Sequence, residues 1–240
     1  MRRILVAIVL TPVASAEIVS VAGQVERVDA PPSVRRQAYE SVLARVFLER
    51  ADITIPQGQT INAVNSGVYD CYCDFEDEPL AESVVADTYF FHFDPPGTSQ
   101  HFAQGEIEFS RPIVGVLGRS LTMHDTDATF GRPGTLYPTD RFNREFEFQN
   151  RGNYDYFEIS SDRRRISFRV VCSTDVDQFR VILGSGCRAD LNGDGAVDTQ
   201  DVVGFLAAWS AGEPAADTTA DGVIDSRDFA EALHVWSGGC

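Results

Sequence analysis

The sequence predicts a mainly β protein, an antiparallel β-sandwich of jelly-roll type, followed by a small α-helical module. Three observations carry this prediction. Short runs rich in Val, Ile, Phe and Tyr recur between Glu17 and Leu183. Clusters of Gly, Pro, Asn and Asp separate them, as turns separate strands. An acidic loop followed by an apolar-striped helix then occurs twice before the chain ends.

The chain opens with Met1-Arg2-Arg3, continues through the apolar run Ile4–Leu10 and reaches Ala14-Ser15-Ala16 before Glu17. A charged start, a short apolar middle and an A-x-A exit describe a secretory signal peptide, residues 1–16, cleaved after Ala16. The run is shorter than the ~20 apolar residues needed to span a bilayer. No later segment is apolar enough to be an integral membrane segment, so the mature chain is expected outside the cell or at its surface.

Residues 17–183 form the expected sandwich. Its strands are assigned to 17–28, 44–55, 84–93, 106–117, 145–149, 154–160, 165–171 and 178–183. Ile166-Ser167-Phe168-Arg169-Val170 alternates apolar with polar, the period of a strand with one buried face. Asp94-Pro95-Pro96-Gly97, Gly131-Arg132-Pro133-Gly134 and Asn150-Arg151-Gly152-Asn153 supply turns. Composition in 33–49 also suits a helix, but most of it is assigned to a loop feeding a strand. Residues 184–186, Gly-Ser-Gly, read as a flexible linker.

From Asp190 a twelve-residue acidic loop begins, and it returns 27 positions later at Asp217. The first copy offers Asp190, Asn192, Asp194, Asp198 and Asp201 at positions 1, 3, 5, 9 and 12, with the Ala196 carbonyl at 7. The second offers Asp217, Thr219, Asp221, Asp225 and Asp228, with the Val223 carbonyl at 7. Calcium takes about six to eight oxygens at ~2.3–2.6 Å, and this alternation is the EF-hand solution. Gly195 and Gly222 hold position 6, where the turn disfavours a Cβ. Thr219 is a weaker donor than Asn192, so the second of the two Ca2+ sites is expected to be the weaker. Val197 and Ile224 at position 8 are expected to pair through a short β-bridge. Each loop runs into a helix with an apolar stripe: Val202, Phe205, Leu206 and Trp209, then Phe229, Leu233 and Trp236.

Residues 187–240 resemble the dockerin domain, the duplicated calcium-loop module that plugs secreted proteins into cohesin-bearing scaffolds. Asp at position 12, the lack of a helix before each loop and the short spacer between copies carry the resemblance, which implies a cohesin-type partner. The recognition positions 10 and 11 read Thr199-Gln200 and Ser226-Arg227, which do not match each other. That departure puts the familiar two-orientation binding in doubt. The sandwich resembles a secreted bacterial β-domain family of unknown function through Phe91-His92-Phe93-Asp94-Pro95, Gly105-Glu106-Ile107-Glu108-Phe109, Phe130–Pro138, Ser161-Asp162-Arg163-Arg164 and Asp177–Ile182. This likeness implies a fold and a location, not a reaction.

The formal charge is −16 and every basic residue is arginine. Loss of residues 1–16 removes two arginines and no acid, so the mature chain is more negative still. Such a surface repels nucleic-acid phosphates and excludes that class of partner. Five cysteines in an exported chain suggest disulfides. A Cys187–Cys240 bond would clasp the C-terminal module, worth about 4 kcal/mol in the chain-entropy model. Cys172 is expected to pair with Cys71 or Cys73. Zinc at Cys71-Tyr72-Cys73 is the competing reading, one residue too tight for C-x2-C.

Candidate chemistry in the sandwich is sparse. Glu106 and Glu108 share a strand face, where a retaining glycosidase pair would need carboxyls ~5–5.5 Å apart. An acidic solvent face is the favoured reading of the two. Asp125 and Asp127 read as turn residues or an extra calcium loop, with His124 in the same loop. His92, Asp94 and His101 could bind a metal. Tyr89–Phe93 and Tyr154–Phe157 put rings on both strand faces, one set for the core and the other able to stack on sugars. The expected function is therefore a non-catalytic exported protein that docks or anchors through its calcium module and binds carbohydrate or another extracellular polymer. A small polysaccharide-active enzyme and a sorting protein with a calcium-stabilised anchor are the alternatives.

Overall fold

The computed structural model describes residues 18–81, 83–140, 142, 144, 146–148, 154–184, 191, 197–213, 216–219 and 223–238. They fall into two compact units, Ala16–Gly186 and a smaller one containing Cys187–Cys240. In chain order the strands are β1 Ile18–Gly23, β2 Val25–Arg27, β3 Ala44–Ile55, β4 Thr60–Ile61, β5 Gly67–Tyr69, β6 Glu78–Pro79, β7 Val84–Phe93, β8 His101–Phe109, β9 Ile113–Leu117, β10 Tyr156–Ile159, β11 Arg165–Cys172 and β12 Asp177–Gly184. The helices are α1 Ser120–Phe130, α2 Thr199–Ala211 and α3 Ser226–Gly238.

Two five-stranded sheets build the larger unit, ordered β1-β8-β11-β10-β5 and β2-β3-β7-β12-β9. All pairings in the first are antiparallel. The second is mixed, because β2 runs parallel to β3, which departs from the purely antiparallel expectation. The predicted strand 17–28 is in fact two strands in different sheets. They part at Gly23, whose φ of 84° and approach to the Gln104 carbonyl leave no room for a Cβ. The predicted strand 106–117 likewise splits into β8 and β9 around Pro112, which has no N–H for a ladder.

Between the sheets lies an aromatic core. Alternation in β11 points Ile166, Phe168 and Val170 inward, where they meet Phe91, Phe179 and Val181 of the second sheet. Phe91 stacks on Phe179 at 4.3 Å between ring centroids and meets Phe168 edge-on at 4.7 Å. Residues Ala86–Phe93 of β7 are buried on both faces. Their outer face belongs to a second core of Phe47, Phe90, Met123, Phe130 and Ile182, covered by α1.

Asp125, Asp127 and His124 lie on α1, so neither a turn nor a calcium loop forms there. The helix is polar because it covers a buried charge network. Arg180 is fully buried and donates from Nε and Nη2 to the two oxygens of Glu49, and from Nη2 to Asp127 at 3.0 Å. Arg144, also fully buried, donates to Asp127 at 2.6 Å and to Gln178 at 2.9 Å. Tyr137 donates to Glu49 at 2.7 Å. Burial works against the charge on Arg180, but Glu49 outweighs it and holds the pKa above the ordinary range. Burial and then Glu49 push the Tyr137 hydroxyl up, so it remains a donor.

Among the described residues of the predicted strand 145–149, residues 146–148 are not strand; of the expected linker 184–186, Gly184 is the last residue of β12, paired with Ala86, and 185–186 lie outside the described residues. No helix among the described residues is long and apolar enough to cross a membrane. Removing one partner of a buried ion pair strands the other, at a cost of about 3–5 kcal/mol. Glu49→Ala should lower unfolding free energy in urea by about that amount, whereas the Glu49→Leu/Arg180→Met pair should lose much less.

Candidate functional site

The smaller unit repeats its contacts as it repeats its sequence. Asp198 caps α2: its carboxylate accepts the Gln200 N–H at 2.7 Å, while Asp201 accepts the Asp198 N–H at 2.7 Å. At the same offset, Asp225 accepts the Arg227 N–H and Asp228 accepts the Asp225 N–H, both at 2.8 Å. Oxygen donors at positions 9 and 12 thus sit at the start of each helix, and Asp201 and Asp228 are wholly buried.

The tryptophans tie the halves together reciprocally. Trp236 Nε1 on α3 donates to the carbonyl of Asp198 at 2.8 Å, and Trp209 Nε1 on α2 donates to that of Asp225 at 3.2 Å. Phe205, Ala216 and Ala232 form the small core with Ile224 and Phe229 against them. Val197 and Ile224 are not joined by a β-bridge, contrary to expectation. Val197 is exposed, whereas Ile224 packs on the core.

Within the second loop the described residues hydrogen-bond to one another. The Thr219 hydroxyl is 2.9 Å from an Asp228 oxygen and 3.4 Å from an Asp217 oxygen. The Thr219 N–H also donates to Asp228 at 3.0 Å. The N–H of Asp225, then that of Thr219, hold the Asp228 carboxyl below the ordinary carboxylate range. Thr219 thus touches a carboxylate on either side, but Asp217, Asp225 and Asp228 do not gather into a three-carboxylate cluster among the described residues. Asp190, Asn192, Asp194, Ala196 and Asp221, and with them Cys187 and Cys240, lie outside the described residues.

The other cysteines depart from expectation. Cys71 and Cys73 form a disulfide with each other, and Cys172 is a buried free thiol. Cys172 ends β11 and donates to the Asp175 carbonyl at 2.7 Å, and burial pushes its pKa up. A disulfide sulfur is not a thiolate ligand, so the zinc alternative at Cys71-Tyr72-Cys73 falls too.

Glu106 and Glu108 share a face as expected, but they serve a surface ladder. Glu106 meets Arg165 and Ser167 across the β8–β11 pair, and Glu108 accepts from Ser20 at 2.9 Å. His92 is buried, pairs through Nδ1 with Gln178, and has its pKa lowered to about 3, by burial first and then by Arg45. It lies 4.0 Å from Asp94, but His101 does not join them in a three-ligand cluster. Every ring from Tyr89 to Phe93 is buried, as is Phe157, whereas Tyr154 is exposed.

One cleft of the larger unit carries exposed rings that the sequence reading missed. Its volume is about 250 Å³, and Tyr72, Asp77, Arg119, Thr122 and Phe142 line it. Phe142 is 63% and Tyr72 39% exposed. Asp77 is held beside them by Asn62 Nδ2 at 2.7 Å, and Tyr72 is fixed by donating to the Phe146 carbonyl at 2.8 Å. Rings and orienting polar groups at one opening suit a sugar. Comparison of the chain with protein-family models, with curated proteins and with solved structures finds no match.

Proposed function

We propose that this chain is an exported, non-catalytic protein whose C-terminal unit is a calcium-dependent, dockerin-like docking or anchoring module. The reciprocal tryptophan bonds support this reading most directly, because they tie each helix to the loop of the other half. Asp217, Thr219, Asp225 and Asp228 would hold one ion, with Asp221 and the Val223 carbonyl. The first loop would hold the other through Asp190, Asn192, Asp194, Ala196, Asp198 and Asp201. Bound calcium neutralises the acids that start each helix and so completes the surface offered to a cohesin-type partner. Residues 1–16 supply export, and Cys187–Cys240 closes the module.

Both tryptophans of the chain lie in this unit, so their fluorescence reports on it alone. Excess chelator should shift the emission to the red and leave the β-sheet circular dichroism in place, with calcium reversing the change. Binding at 100 times Kd adds about 2.7 kcal/mol of stability. Emission indifferent to chelator and to millimolar calcium would refute the module's dependence on the ion.

The larger unit reads as a jelly-roll-like sandwich, since successive strands cross between layers, and the Tyr72–Phe142 cleft favours carbohydrate as its ligand. Phe142→Ala should weaken retention on the polysaccharide that holds the wild type, because the exposed ring is the largest apolar surface the cleft offers a sugar. Affinity chromatography on insoluble polysaccharides checks this, and unchanged retention would remove the cleft from consideration.

A further inference from the structure

Three carboxylates that the calcium loops do not involve meet in the larger unit. Asp177 opens β12, paired with Phe93 at the end of β7. Asp155 immediately precedes β10, and Glu147 lies upstream of it. One oxygen from each lies within 4.8 Å of the other two. Asp155 is positioned by two backbone donors, the Glu147 N–H on Oδ2 and the Val171 N–H on Oδ1, both at 2.7 Å.

Asp177 is the informative member. It is 1% exposed, and its Oδ2 has no hydrogen-bond partner among the described residues. The charged groups acting on it are all acids: Asp155, Glu147 and Asp175. The carboxylates beneath α1 differ in this respect, since Glu49 and Asp127 meet Arg180 and Arg144. A buried carboxylate oxygen without a donor is costly, and two neighbouring acids make it more so.

Glu147, the surface member of the three, is hydrogen-bonded through its side chain to Asp155. A cleft of about 170 Å³ leads to the cluster, lined by Gln100, Glu147, Tyr154, Asp155 and Cys172. It has room for an ion with several waters, each needing about 30 Å³. The Cys172 thiol in this cleft is committed to the Asp175 carbonyl, leaving an all-oxygen donor set. Oxygens drawn from three separate segments suit the irregular shell of calcium better than the octahedron of magnesium.

We propose that Glu147, Asp155 and Asp177 form a calcium site in the β unit, with water from the Tyr154 cleft completing the shell. The ion supplies the counter-charge that arginine supplies beneath α1, and joins the start of β12 to the segment before β10. The site does not depend on the C-terminal loops.

The test uses the full chain carrying Asp201→Asn and Asp228→Asn, which removes the position-12 ligand from both loops. Equilibrium dialysis against radioactive calcium at about 1 mM should still find roughly one ion per chain, an affinity ordinary for extracellular sites. Calorimetry of the same chain should show the main transition moving up with calcium. Adding Asp177→Asn should abolish both effects. Glu147→Gln, at an exposed position, keeps the fold and should weaken binding at least about tenfold. A loop-silenced chain that takes up no calcium overturns the site, as does residual binding untouched by Glu147→Gln and Asp177→Asn.

Discussion

A carboxylate carried into the interior of this protein must meet a hydrogen-bond donor or a cation, and in a chain without lysine the permanent side-chain cation is arginine. Beneath α1 that demand is met by Arg180 and Arg144, both fully buried, on Glu49 and Asp127. The network lies on the outer face of β7 and β12, which are buried on both faces over Ala86–Phe93 and Asp177–Leu183. It also gives α1 its composition: Asp127 and Thr126 turn toward Arg180, and the Ser120 hydroxyl accepts the Arg144 N–H.

The first sheet was legible because one face meets the core and the other meets water. Period-two alternation in β11 follows from that difference, and the inward set Ile166, Phe168 and Val170 is where the pattern puts it. The second sheet is harder to read. β7 and β12 are covered on both sides, so Gln178 and Arg180 stand at buried positions that a pattern of apolar residues would not mark. Helix α1 escaped for the same reason, since a helix that covers a polar network carries no apolar stripe.

Sites were legible to the extent that their residues are neighbours in the chain. The proposed calcium loops draw every donor from twelve residues and repeat them at a fixed offset, and the reciprocal bonds of Trp209 and Trp236 continue that repeat in space. Glu147, Asp155 and Asp177 come from three separate segments of the chain, and each looks like an ordinary surface acid until β12 is placed beside β7. The cysteines show the converse limit. Spacing alone does not reveal that Cys172 faces the core while Cys71 and Cys73 meet each other.

In the proposed account, metal takes over where arginine does not reach, in the C-terminal loops and at the cluster beside β12. Diffraction from crystals of the full chain grown with calcium, recorded at a wavelength where calcium scatters anomalously, tests this most directly. The account expects anomalous peaks in both loops, one of them among Asp217, Thr219, Asp225 and Asp228, and a further peak between Asp155 and Asp177. Well-ordered carboxylates at these places with no anomalous density between them would contradict it.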